Sequence, residues 1–272
     1  MKKILIISLV LFSAIILSGC GEKTAEETQS VVLPIPTAIA VKPVDQTIKE
    51  RPYVILQPGS DIHRLKFSIK NIPPGIKTIE YELTYFADFE GNKLERGING
   101  TGSPMERGGV LEYSPLEEIL FGTASCTTGK CKYKYDENVT EGMLTLTLTG
   151  ANGKEKYNSA FRIQKGKEAK EVFTTGDGVF SLTSSGLPAN GVYLIISSVG
   201  VPVPLPEGVI PKTIPYTVYP NVTGKGTVSF KTTDSGDIYT LVGKTWQKLV
   251  TKIENGKATA DFSNSSLFIL GQ

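Results

Sequence analysis

The fold is decided by a period-two pattern that is clearest in the stretch Ile79-Glu80-Tyr81-Glu82-Leu83-Thr84-Tyr85. Apolar side chains alternate there with polar ones, as in a strand with one buried and one solvated face. Similar strand-like runs recur at residues 65–70, 144–149, 179–183, 192–199 and 227–231. Turns rich in Gly, Pro and Asn separate the runs. No helical period extends over ten residues, so the sequence predicts an all-β fold.

The strand runs form two groups, which predict two tandem β-sandwich domains at residues 46–165 and 171–272. Short strands at regular spacing with Gly and Pro turns are typical of sandwiches. The polar stretch at residues 164–170 is predicted to be a linker, so the second domain is expected to fold on its own. The proline-rich run at residues 201–215 excludes a central strand and predicts an extended connection or, alternatively, a polyproline ligand. One helical turn is expected at residues 116–120.

The N-terminal segment predicts export and lipid attachment. Residues 1–19 combine Lys2 and Lys3 with an apolar core of fourteen residues, Ile4 to Leu17, which is typical of a signal peptide. The segment ends in Leu17-Ser18-Gly19-Cys20, which resembles a bacterial lipobox. That resemblance implies cleavage before Cys20 and a lipid on its sulfur. The polar, Pro-containing composition of residues 20–45 predicts a tether. The expected location is extracytoplasmic and outward-facing, with the membrane as a partner and the choice between cell membrane and outer membrane left open.

Charge and histidine content exclude several function classes. The chain has 29 Lys and Arg against 27 Asp and Glu, and a nearly neutral chain argues against nucleic-acid binding. It has one histidine, His63, which excludes a multi-His metal site. His63 shares strand parity with Leu65 and Phe67 and is expected to face inward at the rim of a strand. No metal and no cofactor are predicted.

The two remaining cysteines, Cys126 and Cys131, are predicted to form a disulfide. They are five residues apart and flank a turn that contains Gly129. Thiols oxidise outside the cytoplasm, and a turn brings such a pair within bonding range. A redox pair is the alternative, but the spacing is not Cys-x-x-Cys.

Both halves show resemblances to known domains. The second half carries Ile214-Pro215-Tyr216-Thr217-Val218-Tyr219-Pro220 and Lys244-Thr245-Trp246-Gln247-Lys248-Leu249, and it resembles the β-sandwich domain of the ankyrin and netrin-receptor type that also occurs in bacterial surface proteins. Some of those domains cleave themselves at His-Phe-Ser. Asp261 stands at the histidine position here, so no self-cleavage is predicted. The first half, through residues 80–85 and 119–135, is similar to an Ig-like domain of uncharacterised bacterial lipoproteins, a resemblance that implies a fold and no activity.

Three aromatic residues in candidate hairpins, Tyr133, Tyr135 and Trp246, are the candidate ligand-stacking residues. Exposed rings would stack on sugar faces, whereas buried rings would belong to the core. The sequence thus predicts a lipid-anchored binding, adhesion or structural module that is not an enzyme, with an envelope protein or a glycan as its partner. A carbohydrate-binding lipoprotein and a hydrolase that uses two carboxylates are the alternatives.

Overall fold

The structure, a computed structural model, describes residues 47–59, 61–169, 172–187, 189–233 and 235–272. The predicted signal peptide, Cys20 and the tether lie outside the described residues. The elements, in chain order, are β1 (Tyr53–Pro58), β2 (Arg64–Lys70), β3 (Ile76–Phe89), β4 (Asn92–Gly102), β5 (Met105–Arg107), β6 (Val110–Glu112), β7 (Ile119–Leu120), β8 (Gly122–Thr127), β9 (Lys130–Tyr135), β10 (Glu141–Gly150), β11 (Gly153–Lys165), α1 (Gly166–Ala169), β12 (Val172–Thr174), β13 (Phe180–Ser184), β14 (Val192–Ser197), β15 (Tyr216–Tyr219), β16 (Lys225–Lys231), β17 (Asp237–Val242), β18 (Thr245–Lys248), β19 (Lys252–Glu254), β20 (Lys257–Ser263) and β21 (Leu267–Gly271).

The all-β class is confirmed, and each strand-like run in the sequence overlaps a strand, although residue 179 lies outside β13 and residues 198–199 lie outside β14. The run at Ile79–Tyr85 lies within β3, where the buried residues alternate with exposed or half-buried ones. The helical turn expected at residues 116–120 is wrong. Ile119 is buried and pairs with Leu65 of β2, so the end of this segment forms the short strand β7 instead. Among the described residues, no helix is both long enough and apolar enough to cross a membrane.

One large antiparallel sheet organises the molecule. Its nine strands follow the order β18-β17-β21-β15-β14-β11-β10-β3-β4. A three-stranded sheet, β1-β2-β7, and a five-stranded sheet, β12-β13-β16-β20-β19, supply the covering layers. Two further hairpins, β5–β6 and β8–β9, pair with no other strand.

The covering sheets pack on opposite faces of the nine-stranded sheet. Strand β14 shows this, because alternate residues of a strand point to opposite faces. Its residues Leu194 and Ile196 belong to a hydrophobic cluster with β1, β2, β3 and β10, whereas Tyr193 and Ile195 belong to a second cluster with β13, β16 and β20. Both faces of β14 are therefore buried, each in a different core.

The predicted boundary between two domains crosses this continuous sheet. β11 of the first half pairs with β14 of the second half, from Phe161↔Ile196 to Lys165↔Val192. Within the polar stretch, residues 164–165 form the end of β11 and Gly166–Ala169 form the helical turn α1, and the described residues belong to one compact unit. Two separate tandem sandwiches are therefore not confirmed. Apolar alternation identifies each strand, but it does not say which sheet the strand joins.

The proline-rich run connects β14 to β15, as the sequence predicts. It covers one face of the nine-stranded sheet near β17 and β21, where Leu205 and Val209 pack against a small cluster that includes Tyr239. Asn71 Nδ2 donates to the carbonyl oxygens of Val201 and Pro202. The run is thus part of the packed structure.

Candidate functional site

The β8–β9 hairpin projects from the body of the protein. A two-residue turn joins its strands, and Thr128 and Gly129 both adopt the left-handed region, with φ values of 49° and 78°. Such turns match the twist of antiparallel strands, and glycine tolerates this region without strain. All residues of β9 and nearly all of β8 are exposed. An isolated two-stranded hairpin is marginally stable in water, so it needs additional supports.

The first support is a disulfide near the turn. Cys126 and Cys131 are directly paired across the strands and are bonded, which confirms the prediction from their spacing. Because the bond closes a small ring, we attribute to it about 2 kcal/mol of hairpin stability.

The second support is a polar cluster at the base of the hairpin. Asp136, which follows β9, has a side chain with 7% exposure. It accepts hydrogen bonds of 2.7 Å from Tyr85 Oη on β3 and from Arg96 Nη2 on β4. Burial, and then the bond to Asp136, raise the pKa of Tyr85, and the same carboxylate raises the pKa of Arg96. The base of the hairpin is therefore fixed to the edge of the nine-stranded sheet.

The two faces of the hairpin differ in chemistry. One face, which we call the tyrosine face, carries Tyr133 opposite Ala124 and Tyr135 opposite Gly122, with the disulfide beyond them. Gly122 has a φ of 135°, and a Cβ at this position would lie 2.2 Å from the Lys134 carbonyl oxygen. Because the residues opposite the tyrosines are small, the side chains of β8 do not cover the two rings.

The other face, which we call the lysine face, carries Lys130, Lys132 and Lys134 opposite Thr127, Ser125 and Thr123. These six side chains are polar and lie in exposed positions. Lys134 Nζ lies 5.4 Å from the centre of the Phe89 ring at the end of β3. The hairpin therefore presents an aromatic surface and a cationic surface back to back.

The start of β2 adds two side chains to the tyrosine face. His63 stacks on Tyr135, with ring centres 4.1 Å apart and an interplanar angle of 13°. The Arg64 guanidinium carbon lies 5.0 Å from the centre of the Tyr133 ring, and hydrogen bonding to Tyr133 raises the pKa of Arg64. The Tyr133 and Tyr135 rings are parallel within 1°, with centres 5.9 Å apart. Two aligned rings are thus held by neighbours from another strand.

Exposure distinguishes these two tyrosines from all the others. The chain has eleven tyrosines, all within the described residues. Nine of them are less than 10% exposed, whereas Tyr133 is 44% and Tyr135 is 37% exposed. Because burial of aromatic surface stabilises a fold, the chain places its tyrosines in the cores except on this one face.

Trp246, the third candidate stacking residue, lies elsewhere. It is on β18, half-buried, with its Nε1 donating to the Val203 carbonyl oxygen of the proline-rich run. Its ring packs against the cluster of Ile48, Tyr239 and Ile269. The structure therefore brings Tyr133 and Tyr135 together and does not bring Trp246 to them.

His63 lies at the rim of β2 as expected, half-buried, but it does not face the core. β2 begins at Arg64, and the preceding residue, Ile62, has a φ of 57°, so the period-two pattern does not extend to position 63. The Phe121 N–H donates to the His63 carbonyl oxygen, which places the imidazole beside Tyr135. Sequence reasoning missed Arg64 as part of this site, because some seventy residues separate it from Tyr133.

A groove on the nine-stranded sheet is a separate surface feature. It has a volume of about 480 Å³ and is lined by residues of β3, β10, β11 and β14 and by the segment at residues 175–177. Its lining includes Phe86, Met143 and Ile214, with Arg162 at one side donating to the Thr175 carbonyl oxygen. The groove is mostly apolar, and no sequence pattern pointed to it.

No metal site is evident in the part of the chain that the structure describes: it holds no cluster of three or more His, Cys, Asp or Glu side chains suited to a metal ion. Asp261 accepts a hydrogen bond from Thr227 Oγ1. Asp237 forms an ion pair of 2.6 Å with Lys248.

Comparison of the chain with protein-family models, with curated proteins and with solved structures finds no match. The resemblances of residues 46–165 and 171–272 to known domains therefore stay predictions from sequence. Function has to be inferred from the geometry of the described residues.

Proposed function

We propose that this chain is a lipid-anchored envelope protein that binds glycans through the tyrosine face of the β8–β9 hairpin. The observation that carries the proposal is the selective exposure of Tyr133 and Tyr135. Their rings are parallel and exposed, while the nine other tyrosines are buried. An aromatic ring combines an apolar surface with a polar tip, which suits the mixed apolar and hydroxyl surface of a sugar.

The site is also held in place before any ligand arrives. The disulfide fixes the distal end of the hairpin, and the Asp136 cluster fixes its base. His63 and Arg64 hold the rings from the side. A ligand that binds a preorganised surface loses less free energy to ordering, so modest contacts suffice for measurable affinity.

The proposed location rests on the sequence and on the disulfide. The apolar N-terminal segment and the Leu17–Cys20 motif support export and lipid attachment. A disulfide persists in oxidising compartments and is uncommon in the cytoplasm, so the bond between Cys126 and Cys131 fits the same location. A tether from Cys20 to the first described residues would hold the tyrosine face away from the lipid surface.

The proposal is tested by measuring whether the chain without residues 1–20 binds glycans. This shortened chain keeps every described residue. Screening on immobilised oligosaccharides, followed by calorimetry, should identify a binder. Tyr133→Ala and Tyr135→Ala should each weaken that binding by about tenfold, because each removes one stacking surface.

Phe86→Ala is the matched control. Phe86 is also an exposed aromatic residue, but it lines the groove on the nine-stranded sheet. It should leave the affinity unchanged, and circular dichroism should show that all three variants stay folded. The absence of any glycan binding, or equal affinity of the tyrosine variants and the wild type, would refute the proposal.

A further inference from the structure

The charges around the tyrosine face are unusual for this protein. The segments 61–66 and 122–135 contain five cationic side chains and one acidic side chain: Arg64, Lys66, Lys130, Lys132 and Lys134 against Asp61. The whole chain, by contrast, has 29 basic and 27 acidic residues. The hairpin and the start of β2 are therefore locally cationic on a nearly neutral chain, with Arg64 beside the tyrosine face and three of the lysines on the lysine face.

Most of these cations have no acidic partner. Lys66 lies 3.8 Å from Glu118, but within the described ranges no carboxylate forms an ion pair with Arg64 or with the three hairpin lysines. The nearby carboxylate of Asp136 is occupied by Arg96 and Tyr85. The positive charge is thus available to a ligand.

Arg64 is the cation placed to act together with the rings. Its guanidinium lies over Tyr133, 5.0 Å from the ring centre. A guanidinium has five N–H donors in a planar fork, so the contacts of Arg64 with Tyr133 and Tyr135 leave donors for an anion. Arginine in this position suits a carboxylate or phosphate carried by a molecule whose apolar face meets the tyrosines.

We infer that the ligand of the tyrosine face is an acidic glycan, one whose sugars carry carboxylate or phosphate groups. This inference rests on the proposed function and adds the charge of the ligand to it. Sugar rings lie against Tyr133 and Tyr135, and the acidic group of a sugar accepts hydrogen bonds from Arg64. The lysine face adds attraction at longer range, which salt screens.

The experiment compares matched pairs of ligands on the chain without residues 1–20. One pair is an oligogalacturonide and its methyl ester, which differ in the carboxylate charge. The other pair is a phosphate-bearing mannan and its dephosphorylated form, so the two pairs distinguish a carboxylate from a phosphate. The acidic member of at least one pair should bind about tenfold more tightly than its neutral counterpart, and the difference should shrink as salt rises to about 0.5 M.

Two charge variants separate the contribution of Arg64 from general attraction. Arg64→Gln should remove most of the preference for the acidic member, because it removes the guanidinium beside the rings. Lys132→Gln, on the opposite face of the hairpin, removes the same charge and should cost about twofold or less, as expected for an exposed charge without direct contact. Arg64→Lys should restore part of the preference, since it restores the charge without the planar fork.

The results distinguish failure of the acidic-glycan inference from failure of the glycan proposal. If the acidic and neutral members bind equally, and if Tyr133→Ala abolishes that binding while Arg64→Gln does not, the acidic-glycan inference is overturned and the glycan proposal stands. Equal loss with Lys132→Gln and Arg64→Gln overturns the assignment to Arg64. Binding to vesicles of anionic phospholipid together with no binding to any glycan overturns both proposals.

Discussion

The second half of the chain, residues 171–272, should lose its fold when it is separated from the first half. The perturbation is a protease recognition sequence inserted after Ala169, in the polar segment between β11 and β12. Four side chains of the second half, Leu194, Ile196, Val199 and Tyr219, are buried in the hydrophobic cluster of the first half. If each contributes about 1.5–3 kcal/mol, their exposure costs about 6–12 kcal/mol.

That cost is comparable to the whole stability of an ordinary domain, about 5–15 kcal/mol. Removal of the first half would also leave the β14 edge without its partner strand β11, whereas a cut after Ala169 leaves the two strands paired. We therefore expect the cleaved protein to elute as one species in buffer and to separate only in denaturant. Residues 171–272 expressed alone should show no cooperative melt.

The assay is size-exclusion chromatography of the cut protein, followed by thermal unfolding of the isolated second half. The uncut insertion variant is the control, and its melting temperature should match that of the wild type. A monomeric 171–272 fragment with a cooperative transition near that of the intact chain would refute the reasoning from the shared sheet. It would instead support the independent domain that the linker pattern predicts.

Three further predictions concern Cys20, the disulfide and Asp136. Cys20→Ala should abolish labelling by a radioactive fatty acid in cells, and equal labelling of the wild type and the variant would contradict lipid attachment. The Cys126→Ser, Cys131→Ser double variant should lose about 2 kcal/mol of hairpin stability. The loss should appear as faster amide exchange in β8 and β9, with little change in the melting temperature of the whole protein. A large drop in that melting temperature would show instead that the hairpin supports the core. Asp136→Ala should lower the free energy of unfolding by about 1–3 kcal/mol, because it leaves the buried Tyr85 hydroxyl without its acceptor. Urea denaturation measures this loss, and an unchanged unfolding midpoint would contradict the role of Asp136.

Local patterns along the chain account for the main strands and for the disulfide. Alternation at Ile79–Tyr85 and at the other runs identified the strands, because a half-buried strand needs apolar residues at every second position. The spacing of Cys126 and Cys131 around Gly129 predicted the disulfide, because a short turn brings its two flanks together whatever the rest of the chain does. These are local properties, and they do not depend on how the sheets are arranged.

The pairing of distant strands and the meeting of distant side chains depend on contacts that no local pattern encodes. Strand β14 is apolar at nearly every position, and only the arrangement of the sheets shows that its two faces lie in different cores. His63 and Arg64 reach Tyr135 and Tyr133 because β2 and the hairpin are neighbours in space, although they are far apart in the chain. Periodicity reports which face of a strand is buried, but it carries no information on which distant strand covers that face. The exposure of two tyrosines among eleven is therefore a property of the packing, and the candidate site with it.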